Sequence, residues 1–90
     1  DLGALYKLDA QWGRQLPDGR KWGSSSSTHP ATDGHVWAID RCGGMTCVES
    51  QLDPLLLFDS SGRVVKQLGA GLFSTPHGLT IDKNGNVWAT

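Results

Sequence analysis

Ninety residues with a net charge of −1 at neutral pH leave room for at most one small core, and no basic run predicts a nucleic-acid partner. Hydrophobic residues make up 38 % of the chain and charged residues 19 %, which excludes a disordered polymer. No apolar stretch approaches the roughly 18 residues that would predict a membrane span. Twelve glycines and four prolines predict many turns and few long helices. The chain starts at Asp1 without a methionine and stops inside a strand-like run at Thr90, so the expectation is a piece of a longer protein whose leader has been removed.

In chain order, Ala4–Leu8 alternates weakly and ends at Asp9. Trp12 and Trp22 flank a polar turn at Pro17-Asp18-Gly19 and are expected to pack over the edge of a sheet. Ser24–Thr32 contains four serines and His29-Pro30, and it lacks the apolar alternation of a strand. His35–Ile39 follows the turn Asp33-Gly34 and reads as a strand. Pro54–Phe58, with the longest apolar run, meets Arg63–Leu68 across Ser60-Ser61-Gly62, a hairpin with a short glycine-containing loop. Gly78–Ile81 meets Asn86–Thr90 across Lys83-Asn84-Gly85, where Asn-Gly tolerates positive φ and so favours a hairpin. Asp40, Asp59 and Asp82 each end a strand, and turn capping by their carboxylates explains them without catalysis. The fold class is all-β and antiparallel.

Cys42 and Cys47 are separated only by Gly-Gly-Met-Thr. A disulfide closing so short a loop would stabilise by only about 2 kcal/mol on the chain-entropy model. Gly43 and Gly44 supply the backbone freedom for such a ring, and the neighbouring sequence offers no further soft ligands for a metal. A disulfide and an oxidising compartment are therefore expected; two reduced thiols in a loop are the alternative.

The sequence also repeats. Asp33-Gly-His-Val-Trp-Ala returns as Asn84-Gly-Asn-Val-Trp-Ala, and Trp37 and Trp88 lie 51 residues apart. Leu8-Asp9 returns as Phe58-Asp59, 50 residues on. A period of this size holding about four strands is a β-propeller blade lengthened by an insertion, for which Arg41–Asp53 is the natural place. The chain then holds about two blades of a probable six. Residues 1–32 would form a degenerate or frayed blade portion, 33–76 a blade with the cysteine insertion, and 77–90 the start of the next. Because blades bury their faces on one another, the expected partners are the remaining blades or other copies of the chain. Trp37 and Trp88 are both expected in blade-to-blade packing.

Pro76-His-Gly-Leu-Thr-Ile-Asp-Lys-Asn-Gly-Asn-Val-Trp88, with Gly69-Ala-Gly-Leu-Phe73 before it, resembles the NHL-type six-bladed propellers. Within them it is most similar to the peptidylglycine amidating lyase family and its bacterial relatives. That resemblance implies a secreted or periplasmic carbon–nitrogen lyase that cleaves a peptidyl-α-hydroxyglycine to a peptide amide and glyoxylate, with zinc and calcium as cofactors. It implies that His77 is one of three zinc histidines, that the Leu79 backbone carbonyl helps bind calcium, and that Arg41 helps bind substrate. The other zinc histidines and a catalytic tyrosine would lie in later blades, so the 90-residue chain alone is not expected to be active. His29-Pro30 reverses the order of Pro76-His77, and no ligand role is carried onto it.

Blander readings stand beside these. His77 can simply bond the inner strand of a non-catalytic propeller, and Arg41 can form a surface ion pair with Asp40 or Glu49. His35 is expected to be exposed and without a functional role. At the level of function, a binding module for a peptide-like ligand or protein partner, or short chains that assemble into a ring, are the alternatives to an enzyme.

Overall fold

The computed structural model describes Asp9 and residues 11–90; the expected strand Ala4–Leu8 lies outside the described residues, as does the Leu8 half of the second repeat match. Six short strands follow one another: β1 (Thr28–Pro30), β2 (Val36–Ile39), β3 (Leu55–Phe58), β4 (Val64–Leu68), β5 (Leu79–Ile81) and β6 (Val87–Ala89). The first four form an antiparallel sheet in the order β1-β2-β3-β4, and β5 and β6 pair as a second, two-stranded sheet. A four-stranded meander followed by the inner hairpin of a second unit is consistent with propeller blades. No helix among the described residues is long and apolar enough to cross a membrane.

The run Leu55-Leu56-Leu57-Phe58 is apolar at every position because β3 is covered on both faces. Successive side chains of a strand point to opposite sides. Ala38, Leu56 and Phe58 meet Leu16 on one side, with Trp12 and Val64 packed against them. Trp37, Ile39 and Leu55 form the core on the other side, and Leu79, Ile81, Val87 and Ala89 of the second hairpin close over it. The one departure from regular pairing is a bulge between Leu57 and Phe58, where Leu57 opposes Lys66 and Phe58 opposes Val64.

Trp12 and Trp22 do not sit on a sheet edge. Both rings lie against Phe58, at centroid distances of 5.2 and 5.6 Å, and so roof one face of the sheet. Each indole N–H is satisfied by a backbone carbonyl, of Ser60 and Gly13 respectively, which allows the apolar body to be buried.

The serine-rich stretch does yield a strand. β1 is three residues long, and its side chains are exposed at Thr28 and Pro30 and half-buried at His29. The strand is degenerate in side-chain pattern but formed in backbone, because β2 supplies the whole ladder that holds it: Thr28 opposes Ala38, His29 opposes Trp37 and Pro30 opposes Val36. Adding 51 to every number gives the register of β5 with β6, in which Leu79 opposes Ala89, Thr80 opposes Trp88 and Ile81 opposes Val87. The flanking bonds repeat too, Ala31 N–H to His35 carbonyl returning as Asp82 to Asn86, and Ile39 to Ser27 returning as Thr90 to Gly78. The internal repeat is thus a repeat of hydrogen bonding, even where side chains have diverged.

Trp88 departs from expectation. Trp37 is 6 % exposed, whereas Trp88 is 58 % exposed, because the second hairpin covers the first tryptophan and the described residues contain no third unit to cover the other. The turns also differ. Asp33 and Gly34 both take positive φ, while in Lys83-Asn84-Gly85 only Gly85 does. Asn84 does not use its tolerance of that region.

Candidate functional site

Two segments meet beside the start of the second repeat. Arg41 follows β2, and Pro76-His77 precedes β5. Their 36-residue separation closes because the second hairpin lies against the first sheet. Arg41 Nε donates to the Pro76 carbonyl at 3.0 Å, and its terminal Nη2 lies 3.2 Å from His77 Nδ1. A guanidinium can only donate, so His77 Nδ1 accepts, and the neutral ring carries its proton on Nε2. Neither expected acidic partner takes Arg41: Asp40 binds Arg20, and Arg41 reaches across the repeat boundary.

Each partner is held by its backbone. His77 N–H donates to the Thr90 carbonyl at 2.7 Å, which fixes the residue at the entrance of β5. Pro76 is fully buried, so its carbonyl is a fixed target for the guanidinium. Arg41 N–H donates to the Ser24 carbonyl at 2.9 Å. Sequence reasoning missed Ser26, whose hydroxyl lies 3.2 Å from the Pro76 carbonyl and 3.0 Å from the His77 carbonyl. The repeat could have found it, since 51 residues before His77 is Ser26. One repeat places a histidine where the other places a serine, and the serine braces the histidine's backbone.

Asp40 does more than cap a turn. Its side chain is completely buried and receives the Arg20 guanidinium at 2.9 Å, the Gly43 N–H at 2.8 Å and the Gly23 N–H. Arg20 also donates to the Asp53 carbonyl at 2.8 Å. A buried carboxylate needs this degree of satisfaction, and here it ties three chain segments together beside Arg41. Gly23 is required at this crossing, because a Cβ there would lie 2.2 Å from the Gly44 nitrogen. The Cys42–Cys47 disulfide is formed, with the two Cα atoms 5.2 Å apart.

Leu79 opposes Ala89 at a position where the ladder bonds do not run. The bonds Asp82 N–H to Asn86 and Thr90 N–H to Gly78 place the bonded pairs at even-numbered residues of β5. The Leu79 carbonyl therefore faces away from β6, as a backbone ligand would have to. His77 is the one histidine of the chain at this end. His29 and His35 line a separate cleft of about 510 Å³ between the two turns, their Nδ1 atoms bonded to the Pro30 and Asp33 carbonyls. His35 is half-buried there.

For zinc the residues present do not suffice. No group of three or more His, Cys, Asp or Glu side chains able to hold a metal exists among the described residues. His77 Nδ1 faces a cation and Nε2 bears the proton, so the ring offers a lone pair only after Arg41 lets go or the ring turns over.

Asp59 and Asp82 are turn caps, as expected. Asp82 Oδ1 accepts from the N–H groups of Asn84 and Asn86, and Oδ2 from the Asn86 amide and the Trp88 indole. These bonds, led by that of Trp88, hold its carboxyl below the usual 3.8, at about 2. The Ser61 hydroxyl and the Arg63 N–H do the same for Asp59, also to about 2. Ordered turns, rather than an acid–base pair, account for both.

No protein-family model matches the chain, and no solved structure matches it. Curated relatives do. A probable peptidyl-alpha-hydroxyglycine alpha-amidating lyase of Caenorhabditis elegans is 61 % identical over 101 aligned positions, covering 97 % of this chain and 29 % of that protein. Peptidyl-glycine alpha-amidating monooxygenases A and B of Xenopus laevis are 53 % and 47 % identical over 36 residues, covering 40 % of this chain and 4 % of each. The chain spans less than a third of the curated relatives it matches. In sequence it is a relative of the peptidyl-alpha-hydroxyglycine alpha-amidating lyases, similar over nearly its whole length to a stretch of one.

Proposed function

We propose that this chain carries part of the substrate site of a lyase that converts a peptidyl-α-hydroxyglycine to a peptide amide and glyoxylate. The observation that carries the reading is the contact of Arg41 with His77, which joins the two repeats at one point. A peptidyl-α-hydroxyglycine ends in a carboxylate, and the planar fork of Arg41 suits one. Ser26 and the Asp40 cluster hold the surrounding backbone, so little order is lost when substrate binds.

His77 is proposed as one metal donor and the Leu79 carbonyl as a calcium contact. Zinc and calcium sites would need further donors from outside these residues, and a catalytic base would too. Activity is accordingly assigned to a larger protein with further blades. The Trp88 face is where a following unit would pack, in the way that the second hairpin covers Trp37. Those units belong to the same polypeptide or to another copy of the chain, and the mass in solution separates the two. An exported protein fits the disulfide.

The test is a chimera in which this chain replaces the matching stretch of the Caenorhabditis elegans relative. Glyoxylate release from a peptidyl-α-hydroxyglycine is expected, with a large loss on Arg41→Ala or His77→Ala. A folded chimera that binds the peptide without cleaving it would favour a binding module instead.

A further inference from the structure

The loop between β2 and β3 is tied down twice, and the two ties hold different things. On the Arg41 side the anchor is polar. Asp40 takes the Gly43 N–H, the Gly44 N–H donates to the Arg41 carbonyl at 2.9 Å, and the Gly44 carbonyl accepts from Ser24 at 2.7 Å. Beyond Gly44 this network ends, and Met45, Thr46 and Val48 are exposed. Cys47 nevertheless is buried, and its N–H donates to the Ser74 carbonyl at 2.6 Å. Ser74 stands three residues before His77. The chain therefore runs in a circuit: Arg41, Cys42, across the disulfide to Cys47, across a hydrogen bond to Ser74, and along Thr75-Pro76 back to His77, which Arg41 touches.

Two features mark this circuit as built. Cys42 has φ of +55° and Glu49 of +61°, a left-handed region that a residue with a Cβ enters at a cost and keeps only where its surroundings hold it there. The exposed arc between them has no polar network to do so. The disulfide is the one covalent link from the anchored Arg41 segment to the segment that carries His77.

We propose that the Cys42–Cys47 disulfide is a positioning device that sets His77 against Arg41 across the repeat boundary, and that its reduction releases His77. The step is ordinary exchange with a dithiol: the Cys42–Cys47 sulfur–sulfur bond breaks, the dithiol closes to its cyclic disulfide, and two electrons and two protons pass to the cysteines. The Asp40 anchor survives reduction, so Arg41 keeps its backbone position while Cys47 and Ser74 separate. The inference uses the Arg41–His77 site of the proposed function but predicts a geometry, not a turnover.

The experiment is ring nitrogen NMR of the histidines in the 90-residue chain, with and without dithiothreitol, together with amide exchange. Oxidised, His77 should show a bonded Nδ1 and a protonated Nε2. After reduction, and in the Cys42→Ser/Cys47→Ser double variant, His77 should show a solvent-exposed imidazole averaging its tautomers. Exchange at the Cys47 amide should speed by at least about tenfold. His29 and His35, in the other cleft, should not change, and reoxidation should restore His77. Arg41→Gln with the disulfide intact should release the ring in the same way. Unchanged His77 signals in the reduced protein would overturn the proposal, as would a loss of dispersion in His29, His35 and His77 together, which would make the disulfide a general staple. An inactive chimera would sink the lyase reading and leave these outcomes as they are.

Discussion

The hairpins β1–β2 and β5–β6 share one register, 51 residues apart, and yet differ in almost every side-chain environment. In the first, His29 opposes a buried Trp37; in the second, Thr80 opposes an exposed Trp88. The first turn starts at Ala31, the second at Asp82, whose carboxylate gathers four donors. Backbone pairing therefore does not depend on the residues that decorate it. Burial of an identical Val-Trp-Ala depends on what lies against it.

The largest effect should separate the two tryptophans. Trp37→Ala is expected to cost about 3–5 kcal/mol in the 90-residue chain, and Trp88→Ala less than about 1 kcal/mol. Urea unfolding of the two variants checks this, and similar losses would mean that the two faces are equally covered in solution. Asp40→Ala, at the end of the first hairpin, is expected to cost about 3–5 kcal/mol by leaving the Arg20 guanidinium buried without its charge partner. Replacing both residues together with apolar ones should recover part of the loss, and if the single variant unfolds no more readily than the parent, the buried pair is not what holds this end.

Smaller effects sharpen where the repeats agree. Gly34 and Gly85 occupy equivalent turn positions at φ of +76° and +84°. Alanine at either should cost about 1 kcal/mol, and by similar amounts, since the nearest atom to a new Cβ is 3.5 Å away at Gly34 and none lies within 4 Å at Gly85. Thermal melts would expose any inequality. The smallest effect is that of acid. Asp82 and Asp59 have folded values near 2, below the 3.8 of an unconstrained carboxyl. Their contribution is complete above about pH 4 and is lost as pH falls through about 2. Trp88 bonds Asp82 directly, so its fluorescence should change in that window, and Asp82→Asn should abolish the change. The first turn, lacking the carboxylate, should not report one.

The strands after residue 33 were legible because each pairs with a nearby segment across a glycine-containing turn, and turn chemistry is local. β1 was not: Thr28-His29-Pro30 has no pattern of its own and exists because β2 presents a ladder to it. At the candidate site, Arg41 and His77 could be singled out from sequence by resemblance. Their contact could not, nor could Ser26 and Asp40 as their supports, because neither the closure of one repeat on the next nor the burial of a carboxylate is written in neighbouring residues.

By itself, then, the sequence determined the all-β class, the 51-residue period, the turns after Asp59 and Asp82, and the pairing of two cysteines too close to have other partners. These follow from local backbone preferences and from spacing. Only the tertiary structure decided which tryptophan is covered, which charge Asp40 neutralises, and that Arg41 of one repeat lies against His77 of the next. Those outcomes depend on contacts between segments distant in the chain, where burial makes each polar group find a partner and the packing of one hairpin on another selects which partner is within reach.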